Sequence, residues 1–203
     1  MNATDRAPQT LLAMAGAAPA PPPLTKAVLV LIDYQREYTT GALPLAGVDA
    51  AVTEGESLLA RARASGAPVI HIVHKGKPGG LFDRDGEGGA VIDAMVPAQG
   101  ETVIEKGLPN SFAGTGLADE LAGLEGRAPI FIGFMTHMCV SATVRSALDN
   151  GHMPTVVASA CATRDLPGPG GGVMPASTLH DATLAALADR FAWVVAGAGD
   201  IEN

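Results

Sequence analysis

Residues 26–33, KAVLVLID, form an unbroken apolar run rich in Val, Ile and Leu that ends on an acid. A run without polar alternation suits a strand covered on both faces, as in parallel sheets flanked by helices. Five more candidate strands follow: PVIHIVH (68–74), ETVIEK (101–106), which is shorter, APIFIGF (128–134), MPTVVASA (153–160) and AWVVAG (192–197). Between them, segments 47–66, 114–126, 139–151 and 175–191 carry helical spacing. Gly66 and Gly151 stand where helices stop, and Ser177, Thr178 and Asp181 supply first-turn chemistry to the last helix. Strands alternating with helices predict right-handed βαβ units. The fold class is therefore α/β: a doubly wound, mostly parallel six-stranded sheet with helices on both faces, Rossmann-like in layout. One domain over 26–203 accounts for the length. Residues 1–25, Ala/Pro-rich and ending in APAPPPL, read as an extended arm. It is either a free tail or a segment lying on the domain or on a neighbouring subunit.

The composition is 47% hydrophobic and 17% charged, with a net charge of −8. That supports a large core. No stretch concentrates Lys and Arg, which argues against nucleic acid as a partner. No segment approaches the apolar length of a membrane span. The N-terminus lacks the charged start, apolar centre and cleavage site of a secretory leader, so the expected location is cytoplasmic. Two cysteines, Cys139 and Cys161, make no disulfide framework and are expected to be free thiols.

In doubly wound sheets, ligands bind beyond the carboxyl ends of the strands. Asp33 follows the first run, Lys106 ends the third, and the segment Phe134–Cys139 follows the fourth. An acid, an amine and a thiol thus project toward one edge. Each has a plain structural alternative: Asp33 as a cap or ion-pair partner, Lys106 as a solvated surface group, Cys139 as a small buried hydrophobe. The chemical alternative makes Asp33 a general base and Lys106 the cation that orients it. Cys139 then stands at a helix start, where partial positive charge lowers a thiol pKa toward neutrality and free N–H groups can hold an oxyanion. On that reading, alkylation near neutral pH favours Cys139 over Cys161, whose setting in ASACATRD suits a buried structural role.

The segments VLIDYQREY, IEKGLPNSFAGTGL and GFMTHMCVSATVRSA, spread over 24–197, resemble the signature segments of the isochorismatase-like cysteine hydrolases. That group includes nicotinamidase and N-carbamoylsarcosine amidohydrolase. The resemblance implies a catalytic set of Asp33, Lys106 and Cys139. It implies a non-proline cis peptide at Phe134–Met135 and an oxyanion hole from the backbone N–H groups of Met135 and Cys139. The activity it implies is cleavage of a C–N bond in a small amide, ureide or carbamoyl compound through a thioester on the enzyme. The alternatives are an isochorismatase-type ether hydrolase, a group that lacks the nucleophilic cysteine, and a non-catalytic relative whose thiol senses redox state.

Nicotinamidases build a metal site from an Asp-x-His motif and a second His, and this chain has no Asp-x-His. His71 and His74, three apart on a strand, point to opposite faces. No metal and no cofactor are therefore expected. Substrate contacts are expected from Tyr34, Gln35, Tyr38, His74, Leu81, Phe82, Phe112 and His137, near strand ends or in the Gly-rich loop GKPGGLFDRDGEGG. That loop exceeds a minimal connection and suggests a lid or an interface. By analogy with the family, a homodimer or homotetramer is expected.

Overall fold

A computed structural model describes residues 7–203. The part of the predicted arm at 1–6 lies outside the described residues. Six parallel strands form the central sheet: β1 Ala27–Ile32, β2 Val69–His74, β3 Thr102–Lys106, β4 Ala128–Phe134, β5 Thr155–Ala162 and β6 Trp193–Val195. Their order across the sheet is β3-β2-β1-β4-β5-β6, with every pairing parallel. The chain winds one way from β1 to β3, then crosses back to β4. The switch point falls between β1 and β4, where such sheets open a crevice at their carboxyl ends.

The helices are α1 Leu11–Met14, α2 Val48–Ser65, α3 Leu117–Ala122, α4 Ser141–Asp149 and α5 Ala176–Arg190. α2 begins and ends at left-handed glycines, Gly47 and Gly66. Strand β1 is buried at all six positions. Its side chains divide by parity: Ala27, Leu29 and Leu31 pack with Leu58, Leu59 and Ala62 of α2, whereas Val28, Val30 and Ile32 face the layer of α3, α4 and α5. The continuous apolar run seen in the sequence is therefore the signature of a strand with two cores, each fully buried aliphatic side chain contributing roughly 1.5–3 kcal/mol.

Gly133 sits where β1 and β4 meet at the switch point, paired with Ile32. Its φ is 129°, and a Cβ there would lie 2.0 Å from the Ile32 carbonyl oxygen. Both the backbone angle and the close approach demand glycine. Gly133→Ala should destabilise the domain by at least ~3 kcal/mol. A fall in Tm of roughly 6–12 °C measures it, and an unchanged Tm would contradict the close approach.

Two segments differ from their expectation. The helix read over 114–126 shrinks to Leu117–Ala122, because Gly114, Thr115 and Gly116 form a turn in which the Thr115 hydroxyl donates to the Ser111 carbonyl. The arm is not wholly extended. Thr10 caps the short helix α1, the Leu11 N–H donates to Asp189 of α5 at 2.7 Å, and Leu12 is buried. Pro23 is extended, and the Leu24 N–H bonds to the Glu202 carbonyl. The described part of the arm thus lies on its own domain. No helix among the described residues is long and apolar enough to cross a membrane.

Candidate active site

Asp33 leaves β1 in a left-handed conformation, φ 53°, rare for a residue with a side chain. Its N–H donates to the Ile72 carbonyl, which holds the strained residue at the sheet edge. Lys106, the last residue of β3, reaches across β2 to it. The Lys106 ammonium donates to Asp33 Oδ2 at 2.7 Å and to Cys139 Sγ at 3.3 Å, and it lies 3.4 Å from His74 Nδ1. Asp33, Lys106 and Cys139, far apart in the chain, converge with relative exposures of 0%, 2% and 4%. Three contacts match the three protons of an ammonium. The second carboxylate oxygen, Asp33 Oδ1, is buried without a hydrogen-bond partner.

The segment after β4 carries the thiol. The Phe134–Met135 peptide is cis. Thr136–Val140 then form a π-helical turn that runs directly into α4. Two hydrogen bonds return to the Met135 carbonyl, from the N–H groups of Met138 and Val140, whereas the Met135 N–H makes none among the described residues. Thr136 bonds His180 at 2.9 Å, and His137 Nδ1 bonds Thr163 at 2.5 Å, tying the turn to α5 and to the end of β5. Ser111 and Thr143, both buried, bond to one another and fix the loop after β3 against α4.

The electrostatics overturn one expectation. Cys139 lies inside the π turn rather than at a free helix start. Burial pushes its thiol up to about 12, the Asp33 carboxylate adds to the rise, and Lys106 pulls the other way. Cys161 is likewise pushed to about 12 by burial, and both thiols are about equally covered. Selective alkylation of Cys139 in the resting protein thus loses its basis. Burial also raises Asp33 above the ordinary carboxyl value of 3.8, against the pull of Lys106. His74 is held below its usual value, by burial first and by the neighbouring Lys106 second, and so meets the ammonium as a neutral ring.

The side chains expected to touch substrate separate into two groups. Tyr34 belongs to the core: it is 2% exposed, its hydroxyl donates to the Ala160 carbonyl at 2.6 Å, and its ring packs on Phe134. Gln35 is a clip. Its amide bonds both the N–H and the carbonyl of His74 and the carbonyl of Gly89, and so holds the end of β2 and the Gly-rich loop together. Phe112 packs with the core layer of α3 and α4. Tyr38, His74 and Phe82 form one aromatic group beside Lys106, with centroids 4.9 Å apart for Tyr38–Phe82 and 5.2 Å for His74–Phe82. Leu81 stands outside it, exposed.

Glu37 went unnoticed in the sequence. It is 5% exposed; its carboxylate accepts from the Ala42 N–H at 2.7 Å and from the Phe82 N–H at 3.3 Å. It thereby holds Phe82 in a left-handed conformation, φ 59°. The Gly-rich loop is pinned over the site by this bond and by Arg36 and Glu37 N–H bonds to the Ala90 and Gly88 carbonyls.

His71 pairs with Glu101 at 2.7 Å, whereas His74 faces Lys106, so the two rings do not converge. Among the described residues no group of three or more His, Cys, Asp or Glu could hold a metal ion. A cavity of about 450 Å³ lies between the first turns of α2 and α5, and Cys161 lines it while Asp33, Lys106 and Cys139 do not.

The architecture is that of a parallel-sheet α/β hydrolase. Comparison carries the assignment further: the Isochorismatase domain matches residues 27–198, and the chain belongs to the isochorismatase family. It superposes on the crystal structure of an isochorismatase from Pseudomonas putida KT2440 with a TM-score of 0.92 at 43% identity, covering 96% of this chain and 100% of that one. It is 34% identical to the secreted isochorismatase effector Isc1 of Verticillium dahliae, over 90% of this chain and 94% of that protein. It is 32% identical to the maleamate amidohydrolase of Pseudomonas putida KT2440, over 65% of this chain and 70% of the relative.

Proposed function

We propose that this hydrolase cleaves a C–N bond in a small amide, ureide or carbamoyl compound, with Cys139 as nucleophile. One observation carries the reading: a buried carboxylate oxygen, Asp33 Oδ1, without a partner, in a cluster whose ammonium bonds both Asp33 Oδ2 and the Cys139 sulfur. An unsatisfied buried acceptor is costly, and beside a thiol it is a place to receive that thiol's proton. A purely structural Asp–Lys pair has no use for a thiol in the same cluster.

In the resting site the thiol keeps its proton, since burial holds its pKa near 12. As sulfur attacks the carbonyl carbon, Asp33 takes the thiol proton. The carbonyl π electrons move onto oxygen, and the N–H groups of Met135 and Cys139 donate hydrogen bonds to the oxyanion. Collapse of this intermediate breaks the C–N bond, and the proton on Asp33 passes to the departing nitrogen. Water then attacks the thioester, Asp33 takes its proton and returns it to sulfur, and the acid is released. Lys106 keeps the carboxylate aligned and offsets its charge throughout. Deprotonation coupled to attack replaces the preformed thiolate expected from the sequence.

A pH profile tests the base. Asp33 must be ionised to accept the proton, and its pKa is raised. Activity should therefore climb with pH through an acid limb lying above 3.8, the ordinary carboxyl value. A kcat/KM already on its plateau below that value would remove Asp33 from the role. The decisive screen is ammonia release over small amides, ureides and carbamoyl compounds. Release of a pyruvate-type product instead would favour ether cleavage, the activity suggested by the isochorismatase names among its relatives.

A further inference from the structure

His74 is the last residue of β2 and stands in register beside Lys106 on β3, so their side chains leave the same face of the sheet. Lys106 crosses this position on its way to Asp33, and its Nζ lies 3.4 Å from His74 Nδ1. An ammonium offers three donors and no acceptor. A proton on Nδ1 would set two N–H groups against one another, so Nδ1 is the bare nitrogen. A neutral ring then carries its proton on Nε2. No other bond competes for the choice, because the ring makes none besides this one among the described residues.

The ring is also held in place. The Gln35 side chain accepts the His74 N–H at 2.8 Å and donates to the His74 carbonyl at 2.9 Å. Phe82 stands edge-on to the imidazole, with centroids 5.2 Å apart and an interplanar angle of 73°. The Glu37 carboxylate holds Phe82 in turn through its N–H. Gly88 makes room for that carboxylate, since a Cβ there would lie 2.1 Å from Glu37 Oε2. Gln35, Glu37 and Phe82 thus converge on one imidazole that faces the cation.

We propose that His74 is a positioning residue for the reaction: its unprotonated Nδ1 takes one proton of Lys106 and so aims the other two at Asp33 and Cys139. This deepens the hydrolase reading and rests on it. A lysine ammonium is a rotor on a flexible four-carbon stem, and two partners alone leave its third proton unplaced. A third acceptor fixes the rotor. His74 thereby acts through Lys106 rather than on the substrate, and the Gly-rich loop, through Glu37 and Phe82, serves as scaffold for the catalytic cation.

The proton can be read without turnover. Nitrogen-15 NMR of histidine-labelled protein, with the His74 signals assigned by their loss in His74→Asn, should show a bare Nδ1 and a protonated Nε2 at neutral pH. A proton on Nδ1 would overturn the inference. Three variants read the consequence by ammonia release. The side-chain oxygen of asparagine takes the place of Nδ1, that of glutamine reaches the place of Nε2, and leucine offers no acceptor. His74→Asn should keep kcat within ~5-fold of wild type, whereas His74→Leu and His74→Gln should lower it by on the order of 10–10²-fold, the worth of one bond to a charged group. KM should move by no more than a few-fold in all three. A ring that merely packed on Phe82 would be replaced better by leucine than by asparagine, so the order of these two separates the roles. A kcat for His74→Leu equal to or above that of His74→Asn would overturn the assignment, as would a raised KM with kcat kept. A bare Nδ1 in a protein that turns over no amide would leave His74 on Lys106 and end the hydrolase reading instead.

Discussion

Cys139→Ala should remove amide turnover, lowering kcat by roughly 10⁵-fold or more, and Cys139→Ser should do nearly the same. The serine hydroxyl is a poorer nucleophile, and the site was built around a larger sulfur 3.3 Å from Lys106. Little stability is at stake. Cys139 is small, and its loss leaves a void of about one atom beside Asp33 and Lys106, costing on the order of 1 kcal/mol. Ammonia release and a thermal melt therefore give opposite answers for this variant: activity gone, fold kept. Cys161→Ala supplies the contrast. That thiol is as buried and as strongly protonated, yet it contacts neither Asp33 nor Lys106, and its replacement should leave kcat within a few-fold of wild type.

Lys106→Met should be severe in both respects. The ion pair with Asp33 is fully buried on both sides. Removing one partner leaves an uncompensated carboxylate, a loss of about 3–5 kcal/mol. Asp33 already titrates above its ordinary value under burial, with Lys106 pulling it down. Without the ammonium its pKa climbs further, so the carboxyl holds its proton and cannot accept one from the thiol. The sign is specific. A carboxyl with a raised folded pKa keeps its contribution below the unfolded pKa and loses it as pH rises through the folded value. Lys106→Met should thus be most nearly wild-type in stability under acid conditions and weaken toward neutrality. Asp33→Asn combined with Lys106→Met removes both charges and should recover much of the stability while remaining inactive. Recovery of activity in that double variant would assign the pair a structural role alone.

Most of the sheet could be read directly because β1, β2 and β4 are apolar runs with cores on both faces, and burial on both faces leaves that mark in sequence. Strand ends then pointed to Asp33, Lys106 and the Phe134–Cys139 segment, since topology alone carries them to one edge. The local entry into α4 was not legible. The spacing Cys139, Val140, Val144, Ala147 looks the same whether the helix begins at 139 or is entered through a π turn from Thr136. The environment of the thiol followed from that difference, and with it the reversal in pKa. Tyr34 and Gln35 adjoin Asp33 in sequence, but Asp33's left-handed turn sends one into the core and the other across to His74. Nothing in the sequence marks Glu37 in YQREY or Arg164 in ATRD. Only the three-dimensional contacts reveal one as the clamp on Phe82 and the other as a half-covered cation whose buried Nε has no hydrogen-bond partner.

Intact-protein mass spectrometry of the enzyme quenched in acid during turnover of a small amide tests the central claim most directly. The account predicts an added mass equal to the acyl half of the substrate, lost on treatment with hydroxylamine and mapped to the peptide carrying Cys139. Steady turnover with the protein mass unchanged, or with the adduct on Cys161, would contradict it.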